Sequence, residues 1–127
     1  MQTRDQKYSI DAYKNMLSVK EHSNEISARR YGAMCHKLPL LIHAAGLAQA
    51  LAFVESRVPK EKVYETFLDN LGHTIGEHEK LAKMAREAEL NDYMRLTTQI
   101  MEALVWYKRF AQSILGVDAS DTEDEVG

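Results

Sequence analysis

The sequence predicts an all-α fold, a single compact bundle of about five to six helices ending in an acidic tail. Three observations carry this. Only two of 127 residues are proline and six are glycine. Short alternations of β-branched residues, the mark of strands, are missing. Apolar residues instead recur at steps of three and four, most clearly near the C-terminus. The length suits one domain, and an apolar content of 45% suffices for one core. The expected division is a helical domain over residues 1–116 and a disordered acidic tail over 117–127.

Each helix has its own signals. Thr3 to Gln6, "TRDQ", fits a capping box: the Thr3 hydroxyl accepts from the Gln6 N–H and the Gln6 side chain reaches back. A helix to about His22 follows. Tyr8, Ala12 and Leu17 are expected near one face with Tyr13 and Met16 beside it; Lys7, Asp11, Lys14 and Ser18 are expected to face away. Ser23 or Asn24 caps a second helix running to about Lys37. Pro39 disfavours helical geometry at Leu38, which predicts a break there and a third helix from Pro39 to about Arg57. That helix is apolar nearly all round, so it is expected at the centre or against a partner chain. A fourth helix starts at Pro59 and ends near "GHTIG"; a short fifth covers "EHEKLAKMAREAE". Asn91 caps the last helix, ending at Gly116. Its inner face is Tyr93, Leu96, Ile100, Ala103, Tyr107, Phe110 and Ile114, widened by Met94, Met101, Leu104, Ala111 and Leu115.

The formal charge is −3, unevenly placed. Asp118, Asp121, Glu123, Asp124 and Glu125 crowd the last ten residues, and the rest of the chain is slightly basic. A single cysteine, Cys35, excludes an internal disulfide and fits a reducing compartment such as the cytoplasm. The polar start, "MQTRDQKYS", is unlike a signal peptide. The apolar run Leu38 to Val54 contains Pro39, His43 and Gln49 and is short for a membrane span.

The chemistry-bearing residues form few constellations. The residues three before the histidines are Val19, Ala33, Leu40, Asn70 and Ile75, so the Glu-x-x-His pattern of metal-binding bundles is absent. No metal or cofactor is expected. Cys35 and His36 are adjacent and diverge by about 100° on a helix, so a thiol–imidazole pair is not formed. Arg29, Arg30, Ala33, His36 and Lys37 share one face of the second helix, which suits contact with phosphates. The plainer alternative is a solvated face with Glu25 paired to Arg29. Arg30 to His36 also fits the Arg-x4–6-His spacing of HEPN-like helical ribonucleases. There the arginine would steady a phosphate and the histidine act as acid or base. Tyr31 and Gly32 replace the polar residue usual after that arginine. Trp106 falls on the polar side of the last helix between Arg95 and Arg109. It is either a partner contact or covered by the first helix.

Three blocks resemble the small subunit of the Cmr complex, the type III-B CRISPR RNA-targeting effector. They are "RDQKYSIDAYKNM", "ARRYGAMCHKLPLLIHAAGLAQALAFV" and "YMRLTTQIMEALVWYKRFAQSILG". The likeness covers the chain except its tail. It implies a non-catalytic subunit with no cofactor, serving antiviral defence. Copies would self-associate in a filament along the guide RNA–target RNA duplex, beside other Cmr subunits and away from membranes. Arg29, Arg30 and Lys37 would meet RNA, with Lys108 and Arg109 as a second cluster and Lys14 and Lys20 extending the surface. Trp106 and Arg95 would face partners.

Overall fold

A computed structural model describes residues 1–121. The fold is all-α: six helices, with no strand among the described residues. They are α1 (Arg4–His22), α2 (Glu25–Ala45), α3 (Leu47–Arg57), α4 (Val63–Thr74), α5 (Leu81–Glu87) and α6 (Leu90–Ser113). α6 is the longest. It packs on α1 and α2, while α4 closes the core between them and α3 and α5 cover the far side. The expectation of disorder over the acidic tail falls largely on residues 122–127, outside the described residues.

Local chemistry explains the helix starts. Thr3 and Gln6 form the reciprocal capping box, and the Asn24 side chain accepts from the Ser27 N–H at 2.8 Å. α6 departs from expectation: it begins at Leu90 with Glu89, not Asn91, at its N-cap.

α2 is the main correction. It runs unbroken through Pro39 for 21 residues. A mid-helix proline costs about 3 kcal/mol. Against this, Tyr31, Met34, Cys35, Leu38 and Ile42 form one continuous stripe of 0–6% exposure, and each large side chain so buried contributes roughly 1.5–3 kcal/mol. Breaking the helix at Leu38 would take its C-terminal half off the core. The turn falls instead at Gly46, whose φ of 88° and ψ of 163° are open to glycine almost alone. Tyr93 completes this junction, its hydroxyl accepting from the Ala48 N–H at 3.0 Å. Gly46→Ala is expected to destabilise the fold by ~1–3 kcal/mol through backbone strain alone, measured as a lowered urea midpoint. The added Cβ would meet only the Tyr93 hydroxyl, at an ordinary 3.5 Å.

α1 is also turned from the expected orientation. Tyr8, Ala12, Met16 and Val19 are the buried residues. Leu17 stands nine residues from Tyr8, half a turn away at about 100° per residue, and is exposed with Ile10 and Tyr13. Asp11 does not face away. Its carboxylate accepts from Thr74 Oγ1 (2.5 Å) and stands 3.3 Å from Asn15 Nδ2 and His73 Nδ1. Tyr107 joins this network through Asn15 (2.9 Å) and Thr74 (2.7 Å). The carboxylate thus meets polar groups of α1 and α4, and Asn15 and Thr74 carry the network on to Tyr107 of α6. On α6 the inner face holds as Leu96, Ile100, Ala103, Leu104, Tyr107 and Ala111, but Met94 is exposed.

Candidate nucleic-acid interface

The basic face expected on α2 is only partly exposed. Arg29 is exposed, Arg30 is half-buried and ion-paired with Glu61, and Ala33 and His36 are buried. No ion pair joins Glu25 to Arg29 among the described residues. His36, expected as a titratable surface charge, lies under the C-terminal segment. Its Nε2 is 2.8 Å from the Val117 carbonyl oxygen. A carbonyl only accepts, so Nε2 donates, and Nδ1 is buried with no hydrogen-bond partner among the described residues. A histidine so held, with the neighbouring Arg30 paired to Glu61, does not form the exposed arginine–histidine couple that a ribonuclease site requires. Cys35 is wholly buried, and burial pushes its thiol far above the ordinary range, so it is packing material.

Lys37 has a different setting. Its ammonium lies 4.9 Å from the centre of the Phe53 ring, and the Arg57 guanidinium lies 4.7 Å from the same ring. Two cations thus share one aromatic ring, with no ion pair to either among the described residues. Burial, and secondarily the charge of Arg57, hold Lys37 below the usual lysine value. Like charges held side by side favour an anion between them. Arg57 was not among the expected site residues. The signal for it is the turn at Gly46: Lys37 precedes that turn and Arg57 follows it at similar distances along two adjoining helices. A predicted break at Leu38 hides this pairing.

The second cluster sits on α6. Lys108 and Arg109 are exposed, and together with His36, Val105, Gln112 and Ala119 they line a groove of about 430 Å³. The Arg109 guanidinium lies 5.9 Å from the Trp106 ring. Trp106 itself is covered in part by α1: its Nε1 donates to Asp5 (2.9 Å) and its ring stacks on Phe110. Beside it, Arg4 and Glu102 form an ion pair at 2.7 Å. Trp106 is thus held against the first helix with part of its surface left open. Arg95 is exposed and engaged with Glu77, Asp92 and Gln99. Lys14 and Lys20 are exposed on α1, and neither lines the groove.

These clusters flank one helix. At about 100° per residue, Arg29 points outward from α2 with Lys37 to one side and His36 to the other. Lys37 leads to Arg57 on α3; His36 leads to Lys108 and Arg109 on α6. Among the described residues, no group of three or more His, Cys, Asp or Glu is placed to hold a metal ion, and no helix is long and apolar enough to cross a membrane.

Residues 4–114 match the family model described as CRISPR-associated protein, Cas_Cmr5. A protein of Thermus thermophilus described as "CRISPR system Cmr subunit Cmr5" is 39% identical over 117 residues, 91% of this chain and 98% of its own length. The crystal structure of a CRISPR-associated Cmr5 family protein from Thermus thermophilus superposes with a TM-score of 0.79 at 37% identity. That likeness covers 89% of this chain and 98% of the other.

Proposed function

The chain belongs to the Cmr5 family of CRISPR-associated proteins, and from that premise we propose that it is a structural, non-catalytic subunit of a Cmr effector complex, meeting RNA phosphates through α2, α3 and α6. The observation that carries the RNA contact is the charge arrangement around α2. Lys37 and Arg57 on one flank, Arg29 in the centre, and Lys108 and Arg109 on the other have no ion pair among the described residues. Arg4, Arg30, Lys80, Arg86 and Arg95 are ion-paired. Lys7, Lys14, Lys20, Lys60, Lys62 and Lys83 are, like the five around α2, without an ion pair among the described residues; what supports the reading is the clustering of five such cations about one helix. Unmatched cations on one side of a fold suit a polyanion. Such contact is independent of base sequence and weakens with salt.

The remaining partners are other Cmr subunits, guide and target RNA, and further copies of this chain in a cytoplasmic filament. Head-to-tail association needs two different surfaces on each copy. The fold offers exposed apolar side chains on two separate parts: Ile10, Tyr13 and Leu17 on α1, and Leu90 and Met94 at the start of α6. Trp106 and Arg95 border these regions and remain assigned to partner contact. A row of copies gains by multivalency what a single copy lacks in affinity.

The test is ultraviolet cross-linking of the native complex, purified with its RNA, and mapping of the cross-linked peptides. Peptides carrying Lys37, Arg57 or Lys108–Arg109 are expected. Cross-links confined to α1, α4 or α5 would overturn the interface assignment. A purified complex free of guide RNA would overturn the effector role.

A further inference from the structure

Two cations from adjoining helices share one aromatic ring. The Lys37 ammonium of α2 lies 4.9 Å from the Phe53 ring centre, and the Arg57 guanidinium of α3 lies 4.7 Å from it. Neither forms an ion pair among the described residues. One turn from Lys37 along α2 stand Ala33, Met34, Leu40 and Leu41, none of them charged. The acids nearest Arg57 in the chain are committed elsewhere, Glu55 to Arg86 and Glu61 to Arg30. Lys37, Phe53 and Arg57 are each half-buried, so the amine is partly stripped of water and still reached from outside. Burial first, and the Arg57 charge second, hold Lys37 below the usual lysine value. Lys80 is the opposite case: its Nζ donates to Asp69 at 2.8 Å, and that bond raises its value. The π face of Phe53 favours a cation, but Arg57 still supplies one when Lys37 gives up its proton.

We propose that Lys37 is the amine of this chain that an acyl phosphate acylates, with Arg57 holding the phosphate. Partial desolvation beside a second, fixed cation is what turns a lysine into a nucleophile. The same two cations draw the reagent. Its phosphoryl end is anionic and accepts from the guanidinium fork, which sets the acyl carbon beside Nζ. The neutral Nζ attacks the acyl carbonyl carbon. The C–O bond to the phosphate breaks, inorganic phosphate leaves with the electron pair, and the proton shed by nitrogen passes to water. Nothing is oxidised or reduced. The product is a neutral amide on the Lys37 stem, which removes one cation from this flank of α2. That this loss governs RNA binding rests on the RNA contact proposed above; the acylation itself does not.

The test treats the full folded chain with acetyl phosphate near neutral pH and follows each lysine by peptide mass spectrometry. Lys37 is expected to be acetylated about tenfold faster than Lys80, because each unit of pKa difference changes the free amine tenfold. It is also expected to outpace the exposed Lys14 and Lys20; equal rates there would overturn the proposal. Inorganic phosphate is expected to slow Lys37 alone. Arg57→Gln, with its melting curve unchanged, is expected to lower the rate at Lys37 about tenfold through the lost charge-assisted contact. An acetyl succinimidyl ester, an acyl donor without phosphate, is expected to be less sensitive to Arg57→Gln. Equal loss with both reagents would overturn the role of Arg57. In about 50 mM salt the acetylated chain is expected to bind polyuridine RNA more weakly than Lys37→Arg treated in the same way, with a salt slope smaller by about one. Acetylation at Lys37 with RNA binding equal to that of Lys37→Arg would overturn the RNA contact on this flank and leave the acylation standing.

Discussion

Phe67→Ala is expected to cost the fold about 3–5 kcal/mol, the range for a fully buried phenylalanine. Phe67 has no exposed surface and joins three helices. From α4 its ring meets Tyr31 of α2 edge-to-face, with centroids 5.3 Å apart and planes at 87°. It meets Tyr107 of α6 at 6.4 Å and 84°. Each such pair adds roughly 0.5–1.5 kcal/mol beyond burial. Relaxation around the cavity is limited because both tyrosines are tethered. The Tyr31 hydroxyl accepts from Asn70 at 2.9 Å, and Tyr107 is bonded to Asn15 and Thr74. Against a typical total of about 5–15 kcal/mol, the loss removes much of the margin. Urea denaturation monitored by circular dichroism checks it. A loss under about 1 kcal/mol would mean that the aromatic junction is not where α2, α4 and α6 are joined. Phe67→Leu, which refills most of the volume, is expected to recover most of the stability.

Replacing Lys37 and Arg57 together by glutamine is expected to lower RNA affinity by about ten- to a hundredfold at low salt. The slope of log affinity against log salt should fall by about two, one for each phosphate no longer neutralised. Glutamine retains part of the aliphatic stem over Phe53, so packing is kept while charge is removed. Filter binding on the assembled complex at several salt concentrations is the measurement. A uniform loss of affinity with an unchanged slope would indicate that the pair supports the fold around Phe53 and does not meet phosphate. An unchanged melting curve with a reduced slope would assign both cations to RNA.

How much of the fold and of the candidate interface is legible in the sequence depends on the range of the interactions involved. The capping box at Thr3 and the Asn24 cap are decided within four residues, and they stand as expected. The inner face of α6 is legible because Leu96, Ile100, Ala103 and Tyr107 repeat at helical spacing over many turns. Pro39 misleads because its local preference is real but smaller than the burial of Leu38 and Ile42 on either side. Gly46 then takes the turn that a local rule assigns to Leu38. His36 misleads for a similar reason: its helical phase does point outward, yet Val117, distant in sequence, returns to cover it.

The sequence alone therefore determined the fold class, a count of about five to six helices and most of the core face of α6. Composition and periodicity act along the chain, and the starts of α1 and α2 are capped by their own neighbours. Its three family-like blocks also pointed to the Cmr small subunit. Only the tertiary structure decided which cations stand together and which histidine is out of reach. Lys37 meets Arg57 because α2 and α3 reverse at Gly46, and His36 is covered because Gly32 leaves room for Val117. Both outcomes depend on contacts between residues far apart in the chain, and these are selected by the burial and packing of the whole core.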